Sequence, residues 1–321
     1  MSIIDPLAAI LLLNITGFIV ILFNGFSLYV FFSQRKHKRI SNIPMIWILT
    51  ANVLIGAFPF PVYGLKKYNF TDPYTLGRIC DAWRYTYFSG VHLAMCSLLL
   101  MTVQKILILS FPLRYQRIIT GFRTNLIFGV AWLFLLIFDM IPFFPFSEHD
   151  DEYCHYKIKK DWALAMNIIT MAIPLPVIIG CYGYMLYLAF GQYVRIQKTT
   201  SISHNGSSKK KKPNMLSEVK ATRKVALIIG AYILCWTPST LYYLIEWLCP
   251  HCYPKNYEPH KTWIRFFFKL LVMMHALVTP IIFCCQSREF QKDASRSMRR
   301  FSRATFDGTK HSNTTYATDS H

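Results

Sequence analysis

Charge is scarce in this chain: 16% of its 321 residues are Asp, Glu, Lys or Arg, while 53% are hydrophobic. That balance leaves little sequence for a soluble domain and reads as one compact membrane domain. Acidic residues are scarcer still, 16 against 35 Lys and Arg, for a formal net charge of +19. In a soluble protein such an excess would point to nucleic acid. Here its distribution has another explanation, given below, and no nucleic-acid partner is expected. The first residues, Met1–Pro6, lack the basic n-region of a cleavable signal peptide, and the apolar run after them is too long for one. The first span is therefore expected to serve as its own insertion signal, behind an N-terminal segment too short to capture a ligand. There is also no nucleophile triad, phosphate loop or clustered metal set, so neither an enzyme nor a cofactor or metal site is expected.

What the chain does have is seven long apolar runs, at about Leu7–Phe32, Asn42–Leu65, Asp81–Ser110, Leu126–Phe146, Trp162–Leu188, Val219–Leu248 and Ile264–Cys285. Each is long enough to cross a hydrocarbon core of roughly 30 Å as a helix. Lipid offers the backbone no partners, so such runs become helices. The basic residues alternate between the connecting segments. Four lie in Ser33–Ser41, three in Phe111–Thr124, nine in Ala189–Lys224 and seven in Gln286–His321, whereas the other three loops carry three each. By the positive-inside rule the richer side is cytoplasmic, which puts the N-terminus outside and the C-terminus inside.

Cysteines follow that topology. Cys80, Cys154, Cys249 and Cys252 fall in outward-facing segments, where oxidation is permitted. A Cys80–Cys154 bridge is expected to tie the top of the third span to the loop before the fifth, and Cys249–Cys252 to close a small loop. Zinc at His251 is the other reading of the second pair, but a further ligand pair at suitable spacing is missing. Asn69-Phe70-Thr71 faces outward as a glycosylation site.

The segment from Glu218 to Pro238, ending in Cys235-Trp236-Thr237-Pro238, resembles the sixth helix of rhodopsin-like (class A) G-protein-coupled receptors. Pro238 has no N–H, so the helix must kink near it. A kinked helix can swing one end, as a two-state switch requires. Other segments agree in order. Asn24 lies in the first span, Trp132 in the fourth, and Pro174 with Tyr182 in the fifth. Phe111–Tyr115 resembles the second inner loop, and Ser287–Phe290 the start of an amphipathic eighth helix at about 287–302. The resemblance implies an all-α bundle of seven transmembrane helices with a short eighth, spanning residues 1–302 ahead of a polar tail at 303–321. It also implies a plasma-membrane receptor for a small molecule or short peptide, signalling to a heterotrimeric G protein. The tail would recruit arrestin once phosphorylated.

The chain departs from the family at its switches. Asn52 stands where the second span usually has Asp, with Ala94, His275 and Thr279 beside the same site, so sodium regulation is not expected. Gln104-Lys105-Ile106 replaces Asp-Arg-Tyr, and a Lys105–Glu218 pair is expected to restrain the inactive state. Lys lacks the planar fork of Arg, and such a pair is worth about 0–1 kcal/mol. Thr279-Pro280-Ile281-Ile282-Phe283 keeps the bending proline but lacks the tyrosine hydroxyl that would meet Tyr182. These changes admit a leaky receptor, or a non-coupling relative acting as co-receptor or scavenger.

By alignment the pocket is formed by Tyr87, Phe88, Val91 and His92, then Met166, Asn167 and Thr170, then Trp236, Ser239, Thr240, Tyr243, Lys269 and Met273. Amine receptors carry an Asp where this chain has Tyr87, so a protonated amine lacks its usual counter-ion. The retinal-linking Lys of opsins corresponds to Met273. A Lys inside a span is costly. Lys269 is expected either to meet an anionic ligand group or to snorkel or pair with Glu246. Asp139 is a second intramembrane charge with no partner evident from sequence. The loop Thr199–Pro213, with Lys209–Lys212, is expected to be disordered and to touch lipid or a G protein. Cys284 and Cys285 are read as palmitoylation sites or as core residues.

Overall fold

The computed structural model of the chain describes residues 6–33, 40–57, 73–111, 114–141, 149–150, 155–156, 164–165, 168–202, 213–252, 258–286 and 290–299. Seven helices are long and apolar enough to cross a membrane. They are α1 (Pro6–Ser33), α2 (Ile43–Ala57), α3 (Pro73–Ser110), α4 (Gly121–Met140), α5 (Pro174–Ile202), α6 (Pro213–Leu248) and α7 (Glu258–Gln286). A short helix, α8, follows at 290–299. Between α4 and α5, β1 (His149–Asp150) pairs antiparallel with β2 (His155–Tyr156). Cys249 and Cys252 are joined just after α6, and the end of the bundle that carries them is called the disulfide end below.

The helices close into a ring. α1 packs on α2 and α7, α6 on α5 and α7, and the long α3 runs through the middle against α2, α4, α5 and α6. Leu98, Met101, Ile178, Tyr232 and Met273 fill the interior, while Leu126, Ile127, Val130, Leu133 and Phe134 of α4 face outward toward lipid. α8 is amphipathic: Phe290 and Ala294 pack on Val30, Phe31 and Leu49, and Ser297 meets Ser33 at 3.3 Å.

Helix ends differ from the apolar runs where local chemistry overrides hydropathy. α4 starts at Gly121 because the Thr120 side chain accepts from the Arg123 N–H, so a polar first turn precedes the apolar stretch. α6 begins at Pro213, since proline is pre-set for the first helical position. α5 is regular only from Pro174. Proline cannot donate and crowds the carbonyl four residues earlier, and the chain ahead of it widens into a π turn at Ile168–Ala172. The Ile173 N–H then reaches Ile168 O at 2.9 Å. Residues 199–202 of the loop expected to be disordered are helical, and 203–212 lie outside the described residues. Cys285 is exposed, which corrects its reading as a core residue; the Cys284 side chain is not among those described.

α1 and α2 approach closely at a glycine. A Cβ on Gly56 would stand 2.8 Å from Gly17 O and 3.0 Å from Ile21, so backbone itself blocks it. Gly56→Ala is expected to cost about 1–3 kcal/mol through overpacking. This appears as a lower midpoint in thermal unfolding of the detergent-purified chain, and an unchanged midpoint would contradict the close packing.

Candidate functional site

Proline again decides the chemistry in α7. Pro280 has no N–H to give to the carbonyl four residues earlier, so Ala276 O has no partner within its helix. Two asparagines supply one. Asn24 Nδ2 donates to Ala276 O at 3.1 Å and Asn52 Nδ2 to the same oxygen at 3.3 Å. Asn24 also donates to Val20 O at 2.9 Å and accepts from Asn52 Nδ2 at 3.1 Å. A carbonyl only accepts, so the amide orientations are forced. α1, α2 and α7 are thus pinned together at the α7 hinge, with Asn24, Asn52 and Thr279 fully buried.

The α6 kink stands beside it. Pro238 lies inside α6, and the Thr237 hydroxyl donates to Ile233 O at 2.7 Å. Two residues before the proline, Trp236 stacks on Tyr232 at 5.3 Å, and both meet His275 of α7 edge-on, at 6.5 and 5.0 Å. Tyr232 OH, Trp236 Nε1, His275 Nε2, Thr279 Oγ1 and Asn52 Oδ1 are buried without a protein hydrogen-bond partner. Orphaned groups of this kind cost about 1–3 kcal/mol each. Tyr232 was not foreseen from sequence, although it precedes Trp236 by one helical turn.

Toward the disulfide end the cavity wall is aromatic. Trp83 stacks on Tyr87 at 5.7 Å, and the Lys269 ammonium lies 5.0 Å from the Trp83 ring. Tyr243 meets Phe268 at 6.2 Å. Val91, Thr170, Trp236, Thr240 and Met273 are buried, whereas Phe88 is exposed and lies over His92 at 6.0 Å. Trp83 and Phe268 were not foreseen. The signal for Trp83 was its spacing four residues before Tyr87, which puts both on one face.

Glu246 accepts from Arg265 Nη2 at 2.6 Å, a contact that no local pattern in the sequence signals. Antiparallel register explains this. Tyr242 meets Phe268 at 5.1 Å, and Trp236 meets His275 farther down, so each step back along α6 is a step forward along α7. That register carries Glu246 to Arg265 and sets Lys269 one turn deeper. Asp139 has a partner after all: His92 Nδ1 is 2.7 Å from its Oδ1, buried between α3 and α4. Below it, Trp132 Nε1 donates to Ser97 at 2.9 Å.

At the opposite end Gln104 and Lys105 are buried, and Gln104 Nε2 reaches Ile40 O at 3.5 Å. The Tyr182 hydroxyl lies against α6, 3.3 Å from where a Cβ on Gly230 would stand. Glu218 and Phe283 belong to α6 and α7, but their side chains lie outside the described set, as does that of Cys80. Asn69, Cys154, Met166 and Asn167 also lie outside the described residues, so the Lys105–Glu218 and Cys80–Cys154 pairs are not among the observed contacts. Among the described residues no three His, Cys, Asp or Glu side chains converge on a metal site.

The pattern of the 7 transmembrane receptor (rhodopsin family) matches residues 23–283. Octopamine receptor beta-2R of Chilo suppressalis is 23% identical over 80% of this chain and 71% of its own length. The alpha-1A adrenergic receptor of Oryzias latipes is 22% identical over 83% of this chain and 62% of its own. Melanocortin receptor 5 of Bos taurus is 24% identical over 62% of this chain and 54% of its own, so the chain spans little more than half the length of some curated relatives.

Proposed function

The chain belongs to the rhodopsin family of seven-transmembrane receptors, a multi-pass membrane protein, and from that membership we propose that it binds a small molecule or short peptide inside its bundle and activates a heterotrimeric G protein. The disulfide end faces outward in this reading, the N-terminus is extracellular, and the opposite end with α8 and the basic segments meets the cytosol, the G protein and anionic lipid. The receptor performs no reaction of its own; it acts as an exchange catalyst on its partner. Arrestin is the partner for a phosphorylated tail.

One observation supports this reading most: the two proline hinges of α6 and α7 lie beside a core of unpaired polar groups, directly beneath the aromatic wall. A ligand pressing on Tyr87, Tyr243 or Trp236 would bias which arrangement that core takes, and a ligand can shift a two-state equilibrium only through such a difference in contacts. Mutation of the hinge tests it. In cells expressing a panel of Gα biosensors at matched surface levels, one Gα class is expected to respond to the chain. Pro238→Ala is expected to change that response by several-fold. Silence of every Gα class, persisting after Lys105→Arg with Gln104→Asp, would favour the co-receptor or scavenger reading, which the altered Gln104-Lys105-Ile106 supports.

A further inference from the structure

Cys249 and Cys252 close a disulfide across only three positions, directly after the last helical residue of α6. A loop so short constrains the unfolded chain least, so stability gives little reason for the bond. The backbone also holds the turn without it. The Cys249 N–H donates to Ile245 O at 2.9 Å and the Cys252 N–H to Cys249 O at 3.0 Å, while Pro250 presets its own φ between them. A turn of this kind keeps its end Cα atoms within about 7 Å whether or not sulfur joins them. Here they stand 5.4 Å apart, so the two thiols would stay neighbours with the bond open. Cys252 is exposed and Cys249 half-buried. Among the described residues the free cysteines Cys96, Cys181 and Cys235 lie within spans, and Cys285 lies at the opposite end of the bundle. An exposed disulfide that neither closes a long loop nor holds its own turn is of the labile, exchanging kind.

We propose that this turn is a thiol-exchange site, at which a low-molecular-weight thiol forms a mixed disulfide with Cys252 and leaves Cys249 as a free thiol. Its placement outside the cell rests on the receptor reading above. The incoming thiolate attacks the sulfur of Cys252, the exposed member of the pair. As the new S–S bond forms, the Cys249–Cys252 bond breaks and its electron pair goes to the Cys249 sulfur. That sulfur sits at the C-terminal, negative end of the α6 dipole, which disfavours a thiolate, so it takes up a proton from water. One disulfide replaces another, with no net oxidation or reduction. A second thiol attacking the adduct releases the oxidised thiol dimer and leaves both cysteines reduced. Alternatively Cys249, held beside the adduct by the turn, attacks Cys252 and expels the thiol, so the modification is reversible. Glu246, three residues before Cys249, contacts Arg265 of α7 at 2.6 Å, so the adduct stands at the end of α6 that is tied to α7.

Glutathione is the probe. The full chain in nanodiscs is incubated in graded ratios of reduced to oxidised glutathione, free thiols are alkylated, and the peptides are read by mass spectrometry. Thermal unfolding is followed in parallel. Glutathione is expected on Cys252 and the alkyl label on Cys249, in protein that still unfolds cooperatively. Cys249→Ser, which cannot expel the adduct, is expected to accumulate it several-fold over wild type; Cys249→Ala serves where that variant does not fold. A bridge that opens only once the chain unfolds would overturn the proposal. So would an adduct confined to Cys249, or no gain in either Cys249 variant. The same exchange is then run on intact cells with glutathione outside, which the membrane excludes. Exchange that occurs in nanodiscs, but in cells only after permeabilisation, would instead overturn the outward placement of the disulfide end in the receptor reading and leave the site standing.

Discussion

His92→Leu is expected to destabilise the bundle by about 3–5 kcal/mol, and a second substitution, Asp139→Leu, to restore most of that loss. His92 and Asp139 meet at 2.7 Å between α3 and α4, with side chains only 3% and 0% exposed. A carboxyl within a span is costly unless it is paired. Removing the imidazole leaves it facing apolar neighbours, and its other oxygen, Oδ2, is already buried without a partner. Breaking a buried pair costs about 3–5 kcal/mol, whereas replacing both partners by apolar groups is often neutral. Asp139→Leu alone leaves an imidazole that can stay neutral, so its cost should be the smaller of the two. Thermal unfolding of the four detergent-purified proteins completes the cycle. Additive losses in the double variant would show that the pair contributes no coupling.

Asn24→Ala is expected to cost about 2 kcal/mol, more than Asn52→Leu. Asn24 takes part in three bonds, to Val20 O, to Ala276 O and from Asn52, whereas Asn52 takes part in two. Interhelical hydrogen bonds in membranes average about 0.6 kcal/mol and reach about 1.7. The sum is larger here because Ala276 O, freed by Pro280, would otherwise depend on Asn52 alone. Asn24→Asp should fare no better than alanine, since both bonds that it donates run through Nδ2. If Asn24→Asp keeps the wild-type midpoint, the hinge carbonyl is satisfied some other way. Released from the Asn24 amide, α7 is also expected to bend more freely at Pro280, raising the ligand-free signal in the Gα panel.

The two predictions mark where sequence reading stops. Asp139 and Lys269 stood out in the sequence because a charge in an apolar run is conspicuous whatever surrounds it. Their neighbours did not. His92 is 47 positions from Asp139, and nothing local to either residue announces the meeting. Arg265 is 19 positions from Glu246, and only the register of α6 against α7 brings the two together. Trp83 and Tyr232 each precede a recognised residue by one turn, but a stacking partner among 16% aromatic residues is not distinctive.

By itself the sequence determined what depends on short stretches of chain. These are seven spans, set by hydrophobic length against bilayer thickness; two hinges, set by prolines that cannot donate; and a receptor family, set by motifs in order. The tertiary structure alone decided who meets whom. Antiparallel register and helix rotation fix those meetings, and both result from packing the whole ring at once. They placed two asparagines on the carbonyl that Pro280 leaves open, a histidine on Asp139, and an arginine on Glu246.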